Sequence, residues 1–263
     1  MTSPRVLLVV ATLGQRPEFL RQTLDSIRSQ GVETEVVIVA PLSSETVQQA
    51  SKEYGIPVLA DPGSLPGAIN LGASELKSHH DYINWLNDDD LLEPGSLLAT
   101  MKALDENPQV VVAYGACRYI DPDGRELWVS KAGKWATRVL GWGPDLIPQP
   151  GMLVRSAAWR TVGGVDESFK LAFDLDLLLK LKKVGPFTDV GQIVSSFRWH
   201  PDSLTVDDRN TNIAESERAK RAALSKTAKK FKWIWEAPVR VATRFAANEV
   251  QRRAKKLVEQ KSR

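Results

Sequence analysis

Residues 82–94 read YINWLNDDDLLEP, an apolar run that ends in one amide and three carboxylates and is followed by a proline. The apolar part predicts a strand buried inside a parallel sheet. Pro94 predicts a helix reaching about Asp105, because the missing N–H of a proline needs no partner in a first helical turn. The stretch therefore places four polar side chains where a buried strand ends, the edge of an α/β sheet at which ligands bind.

Strands and helices continue to alternate on both sides of this stretch. Apolar runs predict further strands at residues 6–11, 36–39, 56–59 and 110–114, with helical patterns at 19–27, 44–53 and 66–77. Such alternation is typical of a parallel α/β sheet with right-handed crossovers.

After residue 115 the pattern is less regular. Asp123-Gly124 predicts a hairpin between residues 118–120 and 126–129, because this dipeptide supplies the positive φ that such turns need. Residues 131–150 show weak periodicity and are predicted to form loops. The remaining patterns predict a helix at 174–184, a strand at 193–199, and two tail helices at about 214–232 and 239–259.

The composition is that of an ordinary globular protein, with 43% hydrophobic and 25% charged residues among 263. Cys117 is the only cysteine of the chain, which excludes an internal disulfide and a thiolate metal site. The longest apolar run, residues 6–11, is far shorter than the roughly 20 residues of a membrane span, and no signal-peptide pattern precedes it. We therefore expect a cytoplasmic protein, either free or peripheral at the inner face of the membrane.

Charge is distributed unevenly along the chain. Residues 214–263 hold 15 Lys and Arg against 5 Glu, a net charge of +10, whereas residues 1–213 have a net charge of −7. The second predicted tail helix has one apolar face, formed by Val239, Ala242, Ala246, Val250 and Leu257. This basic amphipathic helix could lie on an anionic membrane, and it could equally dock on the body of the protein or on a second subunit. A recognisable module for reading nucleic acid is absent, so we expect no nucleic-acid partner.

The carboxylates at residues 88–90 are the first candidates for chemistry. Adjacent carboxylates repel one another unless a cation is present, and Mg²⁺ and Mn²⁺ prefer oxygen ligands. An equally open explanation is that they cap the following helix, whose amino end favours negative charge.

Three further positions could take part in a site. The loop at 63–70 precedes a helix and suits a phosphate, Asp174 at a helix start could be a general base, and His200 could bind a metal. Each has a purely structural alternative, namely a plain turn, a helix cap and a surface histidine.

Four segments, taken together, resemble the inverting family 2 glycosyltransferases with the nucleotide-diphospho-sugar (GT-A) fold. In chain order they are residues 85–94, 149–155, 162–168 and 197–205, and the resemblance spans residues 5 to about 206. It implies an α/β fold with a mostly parallel central sheet flanked by helices, a small hairpin region and a C-terminal helical extension. Together with the charge pattern, it predicts a catalytic domain at 1–213, followed by a basic helical tail at 214–263.

The resemblance assigns roles within the acidic cluster. The metal-binding Asp-X-Asp of the family falls on residues 87–89, so Asp89 would bind Mn²⁺ or Mg²⁺, and His200 resembles an imidazole that completes the coordination. Asn87 stands where the family has a carboxylate on the ribose or sugar, and Asp88 could compensate in part. Asp174 aligns with the general base of the family, although Phe173 precedes it where Glu is usual.

For the donor, the resemblance places Thr12 and Asp61 near the nucleotide, and the loop containing Gly67 and Asn70 around it. Many members read uracil with an Asp after the second strand, where this chain has Ala40-Pro41. A UDP-sugar is the default donor, and dTDP- and GDP-sugars remain open.

On the acceptor side we expect contacts from Trp135, Trp142 and Gln149. The two indoles would offer flat apolar faces to a sugar ring, although burial in the core would explain them nearly as well.

The expected function is metal-dependent, inverting transfer of a sugar to a carbohydrate or lipid-linked acceptor in the synthesis of surface polysaccharide or glycoconjugate. A dehydrogenase is disfavoured because residues 11–16 lack the Gly-X-Gly-X-X-Gly pattern. The alternative is a decayed relative that only binds or scaffolds, since Asn87 and the missing nucleobase Asp are departures from the family pattern.

Overall fold

The computed structural model describes residues 5–130, 133–141, 146–199 and 209–224. The strands in these ranges are β1 (Val6–Ala11), β2 (Thr34–Ala40), β3 (Val58–Ala60), β4 (Tyr82–Asn87), β5 (Leu91–Leu92), β6 (Val112–Ile120), β7 (Glu126–Val129), β8 (Leu153–Arg155) and β9 (Phe187–Arg198). The helices are α1 (Pro17–Arg28), α2 (Glu45–Tyr54), α3 (Leu65–Ala73), α4 (Ser96–Asp105), α5 (Ala136–Val139), α6 (Ser156–Val162), α7 (Phe173–Val184) and α8 (Arg209–Ala223), with a 3-10 turn at Gly133–Trp135.

The described strands form one sheet in the order β3-β2-β1-β4-β8-β6-β9-β5, and β7 pairs with β6 as a hairpin. The first four strands in this order are parallel, β8 runs antiparallel between β4 and β6, and β6 and β9 are parallel. The prediction of an α/β fold with a mostly parallel sheet and a small hairpin is therefore confirmed.

Apolar side chains cover both faces of the sheet. On β1 every residue is buried, with Leu7 and Val9 on one face and Leu8 and Val10 on the other. Helices α3, α6 and α7 pack on the first face, and α1, α2 and α4 on the second. This double cover explains why the strands read as continuous apolar runs.

Strand β6 differs most from the sequence prediction. The two predicted strands, 110–114 and 118–120, are parts of one strand that passes through Gly115. A Cβ at Gly115 would lie 2.5 Å from the backbone oxygen of Gln192, and the β6–β9 register shifts at this point. Glycine is therefore needed here because two backbones approach closely, not because the chain turns.

Helix α8 crosses the boundary that was predicted between residues 213 and 214. It packs against α7, and Ala219 is buried in the core on the α7 face of the sheet. The predicted second tail helix lies outside the described residues. Among the residues that are described, no helix is both long and apolar enough to cross a membrane.

Candidate active site

The carboxyl edge, where strands β1 to β4 end, carries the polar residues expected from the sequence. Ala11 pairs with Asn87 across β1 and β4, so Thr12 and Asp88 follow two neighbouring strands. The hydroxyl of Thr12 donates to Oδ2 of Asp88 at 2.5 Å and accepts the N–H of Gly14 at 2.9 Å. Thr12 thus joins the turn after β1 to the acidic cluster.

The cluster at residues 88–90 is buried, since Asp88, Asp89 and Asp90 are 6%, 9% and 0% exposed. Burial, and then the charges of Asp89 and Asp88, raise the pKa of Asp90 well above its ordinary value. The amide of Asn87 donates to Oδ2 of Asp90 at 3.2 Å. Asn87 therefore supports the third carboxyl of the cluster in this structure.

Two arginines face the cluster, and sequence reasoning assigned a role to neither. Arg16, in the β1–α1 loop, bonds Oδ2 of Asp89 and lies 3.9 Å from Asp88. Arg198, at the end of β9, is 1% exposed and donates to the backbone oxygens of Asp89, at 3.3 Å, and of Pro122, at 2.9 Å. An arginine inside a strand pattern that ends beside a candidate site is the signal that could have identified Arg198.

Asp88 and Asp89 fit a hard divalent cation. They supply carboxylate oxygens, the ligands that Mg²⁺ and Mn²⁺ prefer, and both already lie within ion-pair distance of the Arg16 guanidinium. His200, the predicted further ligand, lies outside the described residues.

A second group of metal-ligand side chains lies at the opposite edge of the sheet. Ligand atoms of Glu35, His79 and His80 all lie within 4.8 Å of one another. However, Nδ1 of His80 accepts the N–H of Lys77 at 3.0 Å, so the ring proton of a neutral His80 is on Nε2, 3.1 Å from Glu35. A protonated Nε2 is not a metal ligand. The ammonium of Lys77 also pairs with Glu35, and we interpret this group as a polar cluster around Glu35.

Asp174 lies at the amino end of α7, on the carboxyl-edge side of the sheet. Phe173 packs against Trp85 with ring centroids 6.2 Å apart, and Trp85 is two residues before Asn87. The other end of α7 reaches the start of β6, where the oxygen of Pro186 accepts the N–H of Val111. The helix thus runs away from the acidic cluster and presents its first turn to that edge.

Asp174 is half-buried, and its carboxylate accepts the N–H of Leu175 at 2.7 Å. The surrounding protein raises the pKa of Asp174 to about 6, because burial disfavours the charged form more than the backbone N–H groups stabilise it. A carboxylate with such a pKa is ionised at neutral pH and is a stronger base than an ordinary aspartate.

The predicted phosphate loop is held by its own hydrogen bonds. Ser64 caps α3 by accepting the N–H of Gly67 at 3.2 Å, and Asp61 accepts the N–H of Gly63 at 3.0 Å. The Asn70 amide bonds both backbone groups of Val165, at 2.9 and 3.1 Å. A phosphate contact through Gly67 or Asn70 would have to compete with these bonds, whereas Asp61 stands at the end of β3 as expected.

Gln149 lies beside β4, and its amide donates to the backbone oxygen of Trp85 at 2.7 Å. Trp135 is 67% exposed, and the guanidinium carbon of Arg138 lies 4.6 Å from its ring centroid. The core alternative for Trp135 is therefore wrong. Trp142 lies outside the described residues.

Two synthases are similar to this chain in sequence. Chondroitin synthase of Pasteurella multocida (strain Pm70) is 25% identical over 205 residues, 73% of this chain and 20% of that protein. Hyaluronan synthase of Pasteurella multocida is 26% identical over 200 residues, 72% of this chain and 20% of that protein. The chain therefore spans about a fifth of the length of these relatives.

A solved structure shows the shared fold, and a family model shows the family. The crystal structure of S. aureus TarS 1–349 in complex with UDP superimposes with a TM-score of 0.63 at 16% identity, over 86% of this chain and 68% of that one, which shows the shared fold. The model described as "Glycosyl transferase family 2" matches residues 8–157, which include most of β1, all of β2 to β4, the acidic cluster and Gln149. With that match over more than half of its length, the chain belongs to glycosyl transferase family 2.

Proposed function

We propose that the protein transfers a sugar from a nucleotide-diphospho-sugar to an acceptor hydroxyl, with inversion at the anomeric carbon and with the help of Mn²⁺ or Mg²⁺. The observation that carries the proposal is one edge of the sheet that holds both a buried carboxylate cluster and, at the start of α7, a carboxyl with a raised pKa. These are the two groups that a single displacement needs, one for the leaving diphosphate and one for the attacking hydroxyl.

Asp89, supported by Asp88, would hold the cation in this proposal. The cation, when bound, neutralises the charge that develops on the departing nucleoside diphosphate. Hydrogen bonds hold the two carboxylate residues in place at the end of β4, since Thr12 donates to Asp88 and Arg198 donates to the backbone oxygen of Asp89. Arg16 must leave Asp89 for the cation to bind there.

Asp174 is the proposed general base. Its carboxylate takes the proton of the acceptor hydroxyl while the oxygen attacks the anomeric carbon opposite the leaving group. Proton transfer to a positioned base contributes about 10²- to 10⁴-fold to a rate.

The donor is proposed to lie along the ends of β1, β3 and β4, in contact with Thr12, Asp61 and Asn87. UDP is the expected nucleotide, and the TarS complex with UDP, which shares this fold, supports that expectation. Similarity to two polysaccharide synthases supports a carbohydrate acceptor. A lipid-linked acceptor is also part of the proposal, and Trp135 is the proposed contact for the acceptor.

Release of nucleoside diphosphate from UDP-, GDP- and dTDP-sugars, with Mn²⁺ or with EDTA, tests the function. We expect one nucleotide class to be consumed in Mn²⁺ and not in EDTA, and the configuration of the product to be inverted. Metal-dependent nucleotide binding with no turnover on any donor and acceptor would favour the non-catalytic relative instead.

A further inference from the structure

We propose that Glu215 of α8 is a positioning residue for Asp174, an inference that rests on the proposed function. Glu215 reaches from the C-terminal helix to the loop that enters α7. By holding this loop, it would fix the first turn of α7 and with it the proposed base.

The contact is a carboxylate on three consecutive backbone N–H groups. Glu215 accepts those of Lys170, Leu171 and Ala172 at distances of 2.8 to 3.1 Å. Successive N–H groups that converge in this way form an anion-binding concavity. Ala172 is the N-cap of α7, and its backbone N–H is one of the three, so the carboxylate reaches the residue at which α7 begins.

Arg218, one turn further along α8, holds the same loop from the other end. It donates to the backbone oxygen of Ser168 at 2.7 Å, and its guanidinium carbon lies 3.7 Å from the ring centroid of Phe169. Ala219 is 1% exposed beneath them. The spacing of residues 215, 218 and 219 puts all three on one helix face, which docks on the loop and on α7.

The carboxylate is ionised when it makes these bonds. Partial burial alone would raise the pKa of Glu215, but the three backbone N–H groups and Arg218 hold it below its ordinary value. Hydrogen bonds to an ionised acceptor are about twice as strong as neutral ones. Removing the charge should therefore loosen the loop even when the shape of the side chain is kept.

Asp174 is two residues beyond the last N–H that Glu215 binds. A displacement of about 1 Å at a reacting group can cost roughly 10²-fold in rate. The proposed donor contacts are on β1, β3 and β4, outside this loop. Loss of the Glu215 contact should therefore lower kcat and leave donor binding nearly unchanged.

The test compares full-length Glu215→Gln with Glu217→Gln, a matched control that removes the same charge two residues away, where Glu217 pairs with Arg221. In Glu215→Gln we expect kcat to fall about 10- to 100-fold, with a change of less than about threefold in donor KM. The control should stay within about twofold of wild type in kcat. Unchanged kcat in Glu215→Gln, with an active wild type, would overturn the inference and leave the proposed function intact.

A double variant separates positioning from a general structural role. If Glu215 acts through Asp174, the variant Asp174→Asn/Glu215→Gln should be no slower than Asp174→Asn. A further loss of the same size as in the single Glu215→Gln variant would overturn the inference.

Hydrogen exchange gives a readout that does not depend on activity. The amides of residues 170–172 should exchange at least about tenfold faster in Glu215→Gln than in wild type or Glu217→Gln. Equal exchange would refute the contact even if no donor were found. If Glu215→Gln does not fold, Glu215→Asp retains the charge on a shorter side chain and should show the same pattern to a smaller degree.

Discussion

At the scale of single residues, Arg16 places a positive charge against the acidic cluster. Its guanidinium bonds Asp89, the proposed metal ligand. A cation and Arg16 therefore compete for one carboxylate. In Arg16→Gln we expect Mn²⁺ to bind the free protein about three- to tenfold more tightly, a shift of about 1 kcal/mol.

Titration of Mn²⁺ followed by electron paramagnetic resonance measures this affinity directly. Arg21→Gln is the matched control, because Arg21 is exposed on α1 and pairs with Glu18 and Asp25. Weaker or equal Mn²⁺ binding in Arg16→Gln would show that Arg16 does not compete for the site.

Asp174 gives a second prediction at this scale. A base must be ionised to accept a proton, and the pKa of Asp174 is raised to about 6. The value of kcat should therefore fall as the pH decreases through about 6, tenfold per pH unit below it. A profile that stays flat down to pH 4 would remove Asp174 from the role of base.

Substitution of the same residue should separate chemistry from stability. Asp174→Asn should lose transfer by about 10²- to 10⁴-fold. Because burial disfavours the charged carboxylate, the folded protein gains nothing from its ionisation above pH 6, and the variant should melt no lower than wild type. Differential scanning calorimetry and a transfer assay on one preparation check both points, and full activity would contradict the assignment.

Sequence reasoning found the carboxylates and not their partners. Asp89 follows a strand and Asp174 lies at the start of a helix, and both positions can be recognised from local sequence patterns. A carboxylate at either position suggests metal binding or acid–base chemistry directly. Arg16 and Arg198 received no role from the sequence, because their partners are 73 and 109 residues away in the chain. The bonds of Asn70 to Val165 are also non-local, so a structural role for this amide was not visible.

At the scale of elements, α3 packs closely on β1, the strand that ends just before Thr12 of the candidate site. A Cβ at Gly72 would lie 2.3 Å from Cγ1 of Val9, so the helix can approach the strand only with glycine at this position. Gly72→Ala should destabilise the protein by about 1–3 kcal/mol, the usual cost of overpacking a core.

Gly141→Ala is the control, since a Cβ at Gly141 would meet no atom of the described residues within 4 Å and its φ is not in the positive range. Urea unfolding of the two variants measures the difference. Equal stability of Gly72→Ala and Gly141→Ala would show that α3 does not press on Val9 as closely as described.

The elements that were predicted well are those that local periodicity defines. Strand β1 has the predicted bounds because it is a continuous apolar run. Helix α7 begins only one residue before its predicted start, because its apolar residues repeat at helix spacing. Strand β6 was divided wrongly at Gly115, because its pairing with β9 is a contact between distant segments. Helix α8 was expected to begin in a separate tail. Its docking on α7 involves hydrogen bonds of Glu215 and Arg218 with a loop more than 40 residues earlier in the chain, which local patterns do not predict.

At the scale of the whole molecule, α8 docks on α7 and is followed by a strongly basic segment, and we predict different roles for the two. Residues 225–263 hold 12 Lys and Arg against 3 Glu, so they carry most of the positive charge of the predicted tail. A chain ending at residue 224 should keep the melting temperature and the transfer activity on a water-miscible acceptor. It should lose binding to vesicles that contain phosphatidylserine, where each basic residue contributes about 1 kcal/mol.

A chain ending at residue 208 is the comparison, because it also lacks Glu215, Arg218 and Ala219. We expect it to melt lower and to lose transfer. Co-sedimentation with vesicles and thermal melting of both truncations measure these outcomes. Vesicle binding that persists in the chain ending at 224 would place membrane contact elsewhere, and an unchanged chain ending at 208 would contradict a supporting role for α8.

We infer that the acidic cluster binds the donor diphosphate through a divalent cation, at the same edge of the sheet as a separate base. Calorimetric titration of the nucleoside diphosphate that the donor panel selects, expected to be UDP, measures this binding. With Mn²⁺ in place of EDTA, affinity should rise at least about tenfold in wild type and in Asp174→Asn, and it should not rise in Asp89→Ala. Equal affinity with and without Mn²⁺ in wild type, or an undiminished Mn²⁺ effect in Asp89→Ala, would contradict the claim.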